Sequence, residues 1–253
     1  MQKKSYFCRK FLQKMEHISK AQVKLIRSLQ QKKYRDELDM FVAEGEKCVQ
    51  ELAKSFALVT LVREGENATR TEIEQMSGLR TPQGVIGVFK KTNTDKNASL
   101  SSDLILALDC IQDPGNLGTI IRTCDWFGVR EIVCSADTAD CYNPKVVQAT
   151  MGALSRVRIH YVDLAKWLEK FAGPIYGTLL DGENMYEVVE RREAKSERSV
   201  IVMGNEGNGI SEEVRKLITR PILIPSYPKN AETSESLNVS IATAIVLAEF
   251  RRP

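Results

Sequence analysis

Short apolar runs alternate with amphipathic stretches along this chain, and their spacing predicts its elements. Over residues 19–33, Ala21, Val23, Leu25, Ile26 and Leu29 recur at helical spacing and predict one helix with a mostly one-sided apolar face. Lys20, Lys24, Arg27, Lys32 and Lys33 occupy much of the remainder. Residues 41–45 read as a strand entering a turn, 46–53 as a helix and 58–62 as a β-branched strand. Residues 72–76 then read as a short helix and 84–89 as a closing strand. This β–α–β–α–β alternation predicts a small α/β sandwich.

No apolar periodicity runs through residues 90–99, which read as a linker. We therefore expect domains at 1–91 and 103–253, joined by 92–102. Beyond it, strands are expected at 104–108, 131–135, 157–161, 175–180, 200–203 and 222–224. Helices are expected between them, including 144–153 and 163–171, where Trp167 reads as core packing ahead of an RNA base platform. Strands alternating with helices call for a mainly parallel sheet. The closing stretch, 237–250, is rich in Val, Ile and Ala with almost no charge before Glu249, so a helix there has to be covered nearly all round.

The length of 253 residues accommodates one large domain or two small ones. No apolar run approaches the roughly 18–20 residues that span a bilayer. The charged N-terminus is followed by no apolar core segment, so a secretory signal is not expected. Six cysteines without a C-x-x-C pair, and two histidines remote from them, argue against a metal site and for free thiols in a reducing cytoplasm. Charge is distributed unevenly. Residues 1–100 hold 19 Lys and Arg against 12 Asp and Glu, whereas 101–253 hold 17 against 21. A basic amino-terminal part on a mildly acidic body points either to a polyanionic partner or to a solvated lysine-rich helix.

The apolar run 104–108 leads into Asp113-Pro114-Gly115-Asn116-Leu117-Gly118-Thr119-Ile120-Ile121-Arg122. Pro114 and Gly115 predict a turn, with a helix from Gly118 onward. Asn116 then stands at the carboxyl end of a strand, where open α/β sheets bind ligands. By itself this corner has a second reading, with Asn116 capping the helix and Arg122 facing water. A further strand ends in Gly204-Asn205-Glu206-Gly207-Asn208-Gly209, ahead of a helix opened by Ser211. That loop lacks the G-x-G-x-x-G spacing and the P-loop lysine, and suits a nucleotide-like ligand without phosphates. A third corner is Ile222-Leu223-Ile224-Pro225, a polar loop, and Ser236-Leu237-Asn238-Val239-Ser240.

In this order the three corners resemble the three motifs of the SpoU–TrmH family of RNA ribose 2′-O-methyltransferases, of the SPOUT class. The resemblance covers residues from about Leu104 to the C-terminus. Arg35, the Phe-Val-Ala-Glu-Gly run at 41–45 and Thr81-Pro82-Gln83-Gly84-Val85 resemble the ribosomal-protein-like RNA-binding domain that many members carry first. The resemblance implies a SPOUT α/β domain with a C-terminal trefoil knot, preceded by a small α/β/α RNA-binding domain. It implies S-adenosylmethionine as cofactor, bound by Thr178, Met203, Gly204, Asn205, Gly207, Ile224 and Leu237. It implies Asn116, Arg122, Glu206, Ser236 and Asn238 as catalytic residues, with Glu206 holding Arg122 by a charge-assisted bond. Ser236 and Asn238 have a second reading as helix caps. RNA contacts are expected from Lys20, Lys24, Arg35 and Glu44, with ribosomal RNA favoured over transfer RNA, and a homodimer through the SPOUT domain.

One departure is the loop 226–235, which is longer than the family's and lacks its glycine; it bears on cofactor affinity and on the Leu237 contact. The competing class is a non-catalytic RNA-binding or ribosome-assembly protein on the same fold, and base methylation on this scaffold is a third reading.

Overall fold

The computed structural model describes residues 16–92, 100–191, 198–228 and 236–252. The first part of the basic arm, most of the linker and residues 229–235 of the third corner lie outside the described residues. The chain divides into two compact units, one running up to Lys91 together with Tyr142–Pro144, the other comprising the remainder.

In the first unit, α1 (Lys20–Ser28) opens on a capping box between Ser19 and Gln22. The single helix expected over 19–33 is in fact two, because α2 (Lys32–Leu38) starts afresh after Leu29. The Arg35 guanidinium explains the break. It donates to the carbonyls of Leu29 at 3.0 Å and Gln30 at 2.9 Å, groups that the end of α1 leaves without helical partners. Then follow β1 (Met40–Glu44), α3 (Glu46–Leu52), β2 (Leu58–Arg63), α4 (Arg70–Met76) and β3 (Val85–Lys90). The sheet order is β1-β3-β2 with both pairings antiparallel. Ile26, Leu29, Val42, Val62, Ile73, Met76 and Ile86 form the core between this sheet and α1 and α4.

The second unit contains β4 (Leu104–Leu108), α5 (Pro114–Trp126), β5 (Glu131–Ser135), α6 (Pro144–Thr150), a 3-10 turn (Ala153–Ser155), β6 (Arg158–Val162) and α7 (Leu164–Glu169). It continues with β7 (Ile175–Asn184), α8 (Met185–Glu190), β8 (Ser199–Met203), α9 (Glu212–Arg215), β9 (Arg220–Leu223) and α10 (Val239–Phe250). Six parallel strands run in the order β6-β5-β4-β8-β7-β9. Every residue of β4, β5 and β8 is buried, as strands covered on both faces require. Trp167 packs against the core, its ring 5.6 Å from that of Phe171.

Two features depart from the pattern reading. Strand β7 is ten residues long, and both Thr178 and Glu183 pair with Ile222 of β9. The residues between them pass so close to β9 that a Cβ on Gly182 would lie 2.5 Å from the Ile222 carbonyl carbon. Helix α10 is not covered all round, for Ile241 is 52% exposed and Ala248 is exposed, with Ala244 and Ile245 half-buried between them. The buried side instead carries Val239, Thr243, Val246, Leu247 and Phe250.

His160 on the edge strand β6 is buried, and its Nε2 has no hydrogen-bond partner among the described residues. Burial holds its pKa below the usual value, with Arg158 adding to the effect and Glu131 opposing it. The fold therefore favours the neutral ring, so its contribution to stability is full above the unfolded pKa and is lost as pH falls from there through the lower folded pKa. Lowering pH from about 7.5 to about 5.5, above the carboxylate range, is expected to lower the urea midpoint. His160→Gln is expected to flatten that slope; an unchanged slope would show that other groups carry it.

Candidate active site

Chain order separates the first and second corners by about ninety residues, but the sheet joins them. Strands β4 and β8 are neighbours, with Leu108 level with Met203. The chain winds outward from β4 through β5 to β6, then returns to β7 and β8 on the other side. The carboxyl ends of β4 and β8 thus form a topological switch point.

Three bonds knit the two ends together. Asp109 N–H donates to the Met203 carbonyl at 2.9 Å. The buried Asp109 carboxylate accepts from Ser211 N–H at 2.7 Å, and the Asn205 amide donates to the Cys110 carbonyl at 2.8 Å. Asn205 also accepts from the N–H groups of Gly207 at 2.8 Å and Asn208 at 3.1 Å, while its backbone exchanges two bonds with Gly209. Its polar groups are thus engaged in building the loop.

Helix α5 begins at Pro114 rather than at Gly118, because Asp113 is the N-cap and Pro114 occupies the first helical turn. Asn116 is therefore inside that first turn, its backbone N–H held by Asp113 at 2.8 Å, and it is not the cap. Its side chain donates to Glu206 Oε1 at 2.8 Å. Asn238, the N-cap of α10, donates to Glu206 Oε1 at 2.6 Å and to Asn116 Oδ1 at 3.0 Å. Val239 N–H approaches the same carboxylate oxygen at 3.3 Å. The Asn238 side-chain Oδ1 accepts in turn from the N–H groups of Ser240 at 3.0 Å and Ile241 at 3.3 Å. Residues from all three corners thus converge on one carboxylate beside a cavity of about 230 Å³ bordered by Asp113, Asn116, Glu206 and Val239. Glu206 Oε2 has no hydrogen-bond partner among the described residues and stands exposed.

Arg122 does not pair with Glu206, which corrects one expectation. Six residues beyond Asn116, it projects about 120° round the helix and about 9 Å further along it. It is exposed, with no partner among the described residues. Ser236 is exposed, and the capping role falls to Asn238. Thr178 Oγ1 donates to the Val202 carbonyl at 3.3 Å and lies 3.8 Å from Met203 Sδ, so β7 meets the end of β8 at Thr178. Ile224 is half-buried just past β9, and Leu237 is 46% exposed. The Cys110 thiol beside Asp137 is pushed up to about 11, which removes it as a thiolate nucleophile.

The four residues assigned to RNA contact divide. Lys20 and Lys24 are exposed on α1. Arg35 and Glu44 are 2% and 4% exposed, which corrects their assignment to an RNA-facing surface. Glu44 accepts from Ser77 Oγ at 2.6 Å and Gly78 N–H at 2.8 Å, so its charge is spent on a turn after α4. Pattern reading missed Asp109 and Asp113; the Asp-Pro pair was the available signal for the second. Among the described residues no group of three or more His, Cys, Asp or Glu is placed to hold a metal ion, and no helix is long and apolar enough to cross a membrane.

Known proteins resemble this chain over most of its length. Residues 20–72 match a family model described as an MRM3-like substrate binding domain. A 23S rRNA (guanosine(2553)-2′-O)-methyltransferase, RlmP of Bacillus subtilis, is 27% identical over 95% of this chain and 100% of its own length. Among solved structures, an AdoMet-bound rRNA methyltransferase from Sinorhizobium meliloti is 32% identical, with a TM-score of 0.80 over 94% of this chain and 97% of that one. A protein assigned to the TrmH family of RNA methyltransferases from Porphyromonas gingivalis is 36% identical, with a TM-score of 0.82 over 93% and 98%. Residues 103–248, which contain all three corners, match the model of the SpoU rRNA Methylase family, and with its SPOUT-class sheet and converged carboxamides the chain belongs to that family.

Proposed function

We propose that this chain methylates a ribose 2′-hydroxyl of RNA, with S-adenosylmethionine as donor and ribosomal RNA as the substrate. The observation that carries this reading is the convergence of Asn116 and Asn238 on Glu206, in a chain of this family. The RlmP relative is named for 2′-O-methylation of 23S rRNA, which supports the ribose and the ribosomal substrate.

The residues around the loop fit the cofactor. Backbone groups of 204–209 offer polar contacts, half-buried Ile224 and exposed Leu237 offer apolar surface for adenine, and Thr178, Met203, Gly204, Asn205 and Gly207 would complete the set. When bound, S-adenosylmethionine supplies an electrophilic methyl group on a positively charged sulfur. The protein's task is then alignment and charge. A ribose hydroxyl is a poor acid, so an acceptor beside it matters. Glu206 Oε1 is occupied by three donors, which leaves Oε2 to accept from the substrate hydroxyl. Asn116 and Asn238 fix the carboxylate plane. Arg122 stays protonated, because guanidinium pKa exceeds about 12, and it meets RNA phosphate or developing negative charge. Ser236, beside Asn238 in sequence, contributes to the acceptor side.

We assign residues 1–91 to RNA substrate binding, 92–102 to a linker and 103–253 to the methyltransferase domain. A C-terminal trefoil knot belongs to this reading through membership of the family. The open stripe Ile241–Ile245–Ala248 supports a homodimer through this domain; sedimentation equilibrium is expected to show two chains, and a monomer at micromolar concentration would count against it. Cys110, Cys124 and Cys134 are free thiols, which supports a cytoplasmic setting.

Incubation with radiolabelled S-adenosylmethionine and separate rRNA and tRNA pools tests the function. Label in a 2′-O-methylated ribose of rRNA is expected, with Arg122→Ala lowering it about 100-fold. Intact cofactor binding without label in any RNA would favour the non-catalytic RNA-binding protein.

A further inference from the structure

The first unit contains a polar cleft of about 450 Å³ between the end of α1 and α4. Gln30 and Ser77 form its floor, and both are held. Gln30 Nε2 donates to the Met76 carbonyl at 3.0 Å, and Ser77 Oγ donates to the buried Glu44 at 2.6 Å. Its walls carry Arg27 and Gln31 on one side and Glu74 and Gln75 on the other. Arg27, Gln31 and Gln75 are exposed, and their side chains have no hydrogen-bond partner among the described residues. Glu74 uses one oxygen on Arg70 Nε at 2.9 Å. Among the described residues no apolar side chain lines the cleft, so its ligand is recognised by hydrogen bonds.

A charged track leads there. Lys20, Lys24 and Arg27 fall within about 60° of arc on α1 at 100° per residue. All three are exposed, and α1 contains no acidic residue. Such a stripe follows a phosphate backbone and carries no sequence information by itself. A fixed polar cleft at its end, on an RNA-modifying chain, suits a base splayed from a single strand.

We infer that this cleft reads one unpaired guanine of the RNA substrate, an inference that rests on the chain being an RNA enzyme. Arg27 donates toward the guanine O6 and N7 acceptors. Glu74 accepts from N1–H and the N2 amino group, and the amides of Gln31 and Gln75 each offer a donor and an acceptor. Adenine presents an N1 acceptor to that carboxylate and is disfavoured. The buried Glu44 acts as a positioning residue, ordering the turn that floors the cleft.

Fluorescence anisotropy of the full chain tests this with three single-stranded RNAs of one length: adenine and uracil only, the same with one central guanine, and the same with inosine there. The guanine RNA is expected to bind about tenfold tighter than the first, with inosine between them. Glu74→Gln and Gln75→Ala are each expected to erase that preference, read as the ratio of guanine to adenine–uracil affinity at one salt concentration. Lys24→Gln is expected to weaken all three alike and to lower the salt slope by about one. RNA binding without guanine preference, or with a preference that both cleft variants keep, overturns the inference and leaves the methyltransferase reading standing. Failure to bind any of the RNAs, with no label transferred to rRNA, would remove the RNA reading and the inference together.

Discussion

Glu206→Gln is expected to lower single-turnover methyl transfer at least about 100-fold while leaving S-adenosylmethionine affinity within a few-fold of the parent. Oε1 accepts from Asn116 Nδ2, Asn238 Nδ2 and the Val239 N–H. A glutamine that keeps its carbonyl toward those donors turns an NH2 group to the side where Oε2 stood, and the group that faced the ribose hydroxyl changes from acceptor to donor. The opposite rotamer sets an NH2 against two NH2 groups and undoes the cluster. Either way the negative charge is gone. The loss is expected in the chemical step rather than in KM for RNA. Glu206→Gln with a rate within threefold of the parent would reduce Glu206 to a structural latch.

The largest structural effect is expected from Gly204→Ala. A Cβ there would lie 2.3 Å from the Gly209 carbonyl carbon and 2.4 Å from Ile210 N, backbone atoms that cannot swing aside. The residue starts the loop whose two ends are clasped by the paired bonds between Asn205 and Gly209, so relief requires opening that clasp. A cost of about 2–4 kcal/mol is expected, read as a lower urea midpoint of the second unit. Cofactor binding and methyl transfer fall with it, because Asn205 and Glu206 follow directly. Gly207→Ala is the control: its Cβ would meet nothing closer than 3.5 Å, so its midpoint is expected to stay near the parent value. Equal losses in both variants would show that the loop is not braced at Gly204.

Strands β4, β5 and β8 were legible because each contains a continuous apolar run, the mark of a strand buried on both faces. The helix break at Leu29 was not legible, because a guanidinium six residues away supplies the compensation. The same contact buries Arg35, which the resemblance had assigned to RNA; a motif match carries no burial. Arg122 was paired with Glu206 by the family resemblance, and helix geometry turns it to a different face. Asn116 was placed before its helix by the weight given to Gly115, whereas Asp113 and Pro114 start the helix earlier.

The amino-acid sequence by itself determined the alternation of strands and helices, the basic amino-terminal surface and the three polar corners, because hydrophobic period, turn residues and charge are local properties. Only the tertiary structure decided that β4 lies beside β8, and hence that Asn116, Glu206 and Asn238 share one carboxylate across 122 positions of chain. Strand order follows from which buried faces pack together, and no local pattern encodes it. Likewise, only packing separated the charged side chains that brace the fold, Arg35 and Glu44, from those left facing solvent at Lys20, Lys24 and Arg122.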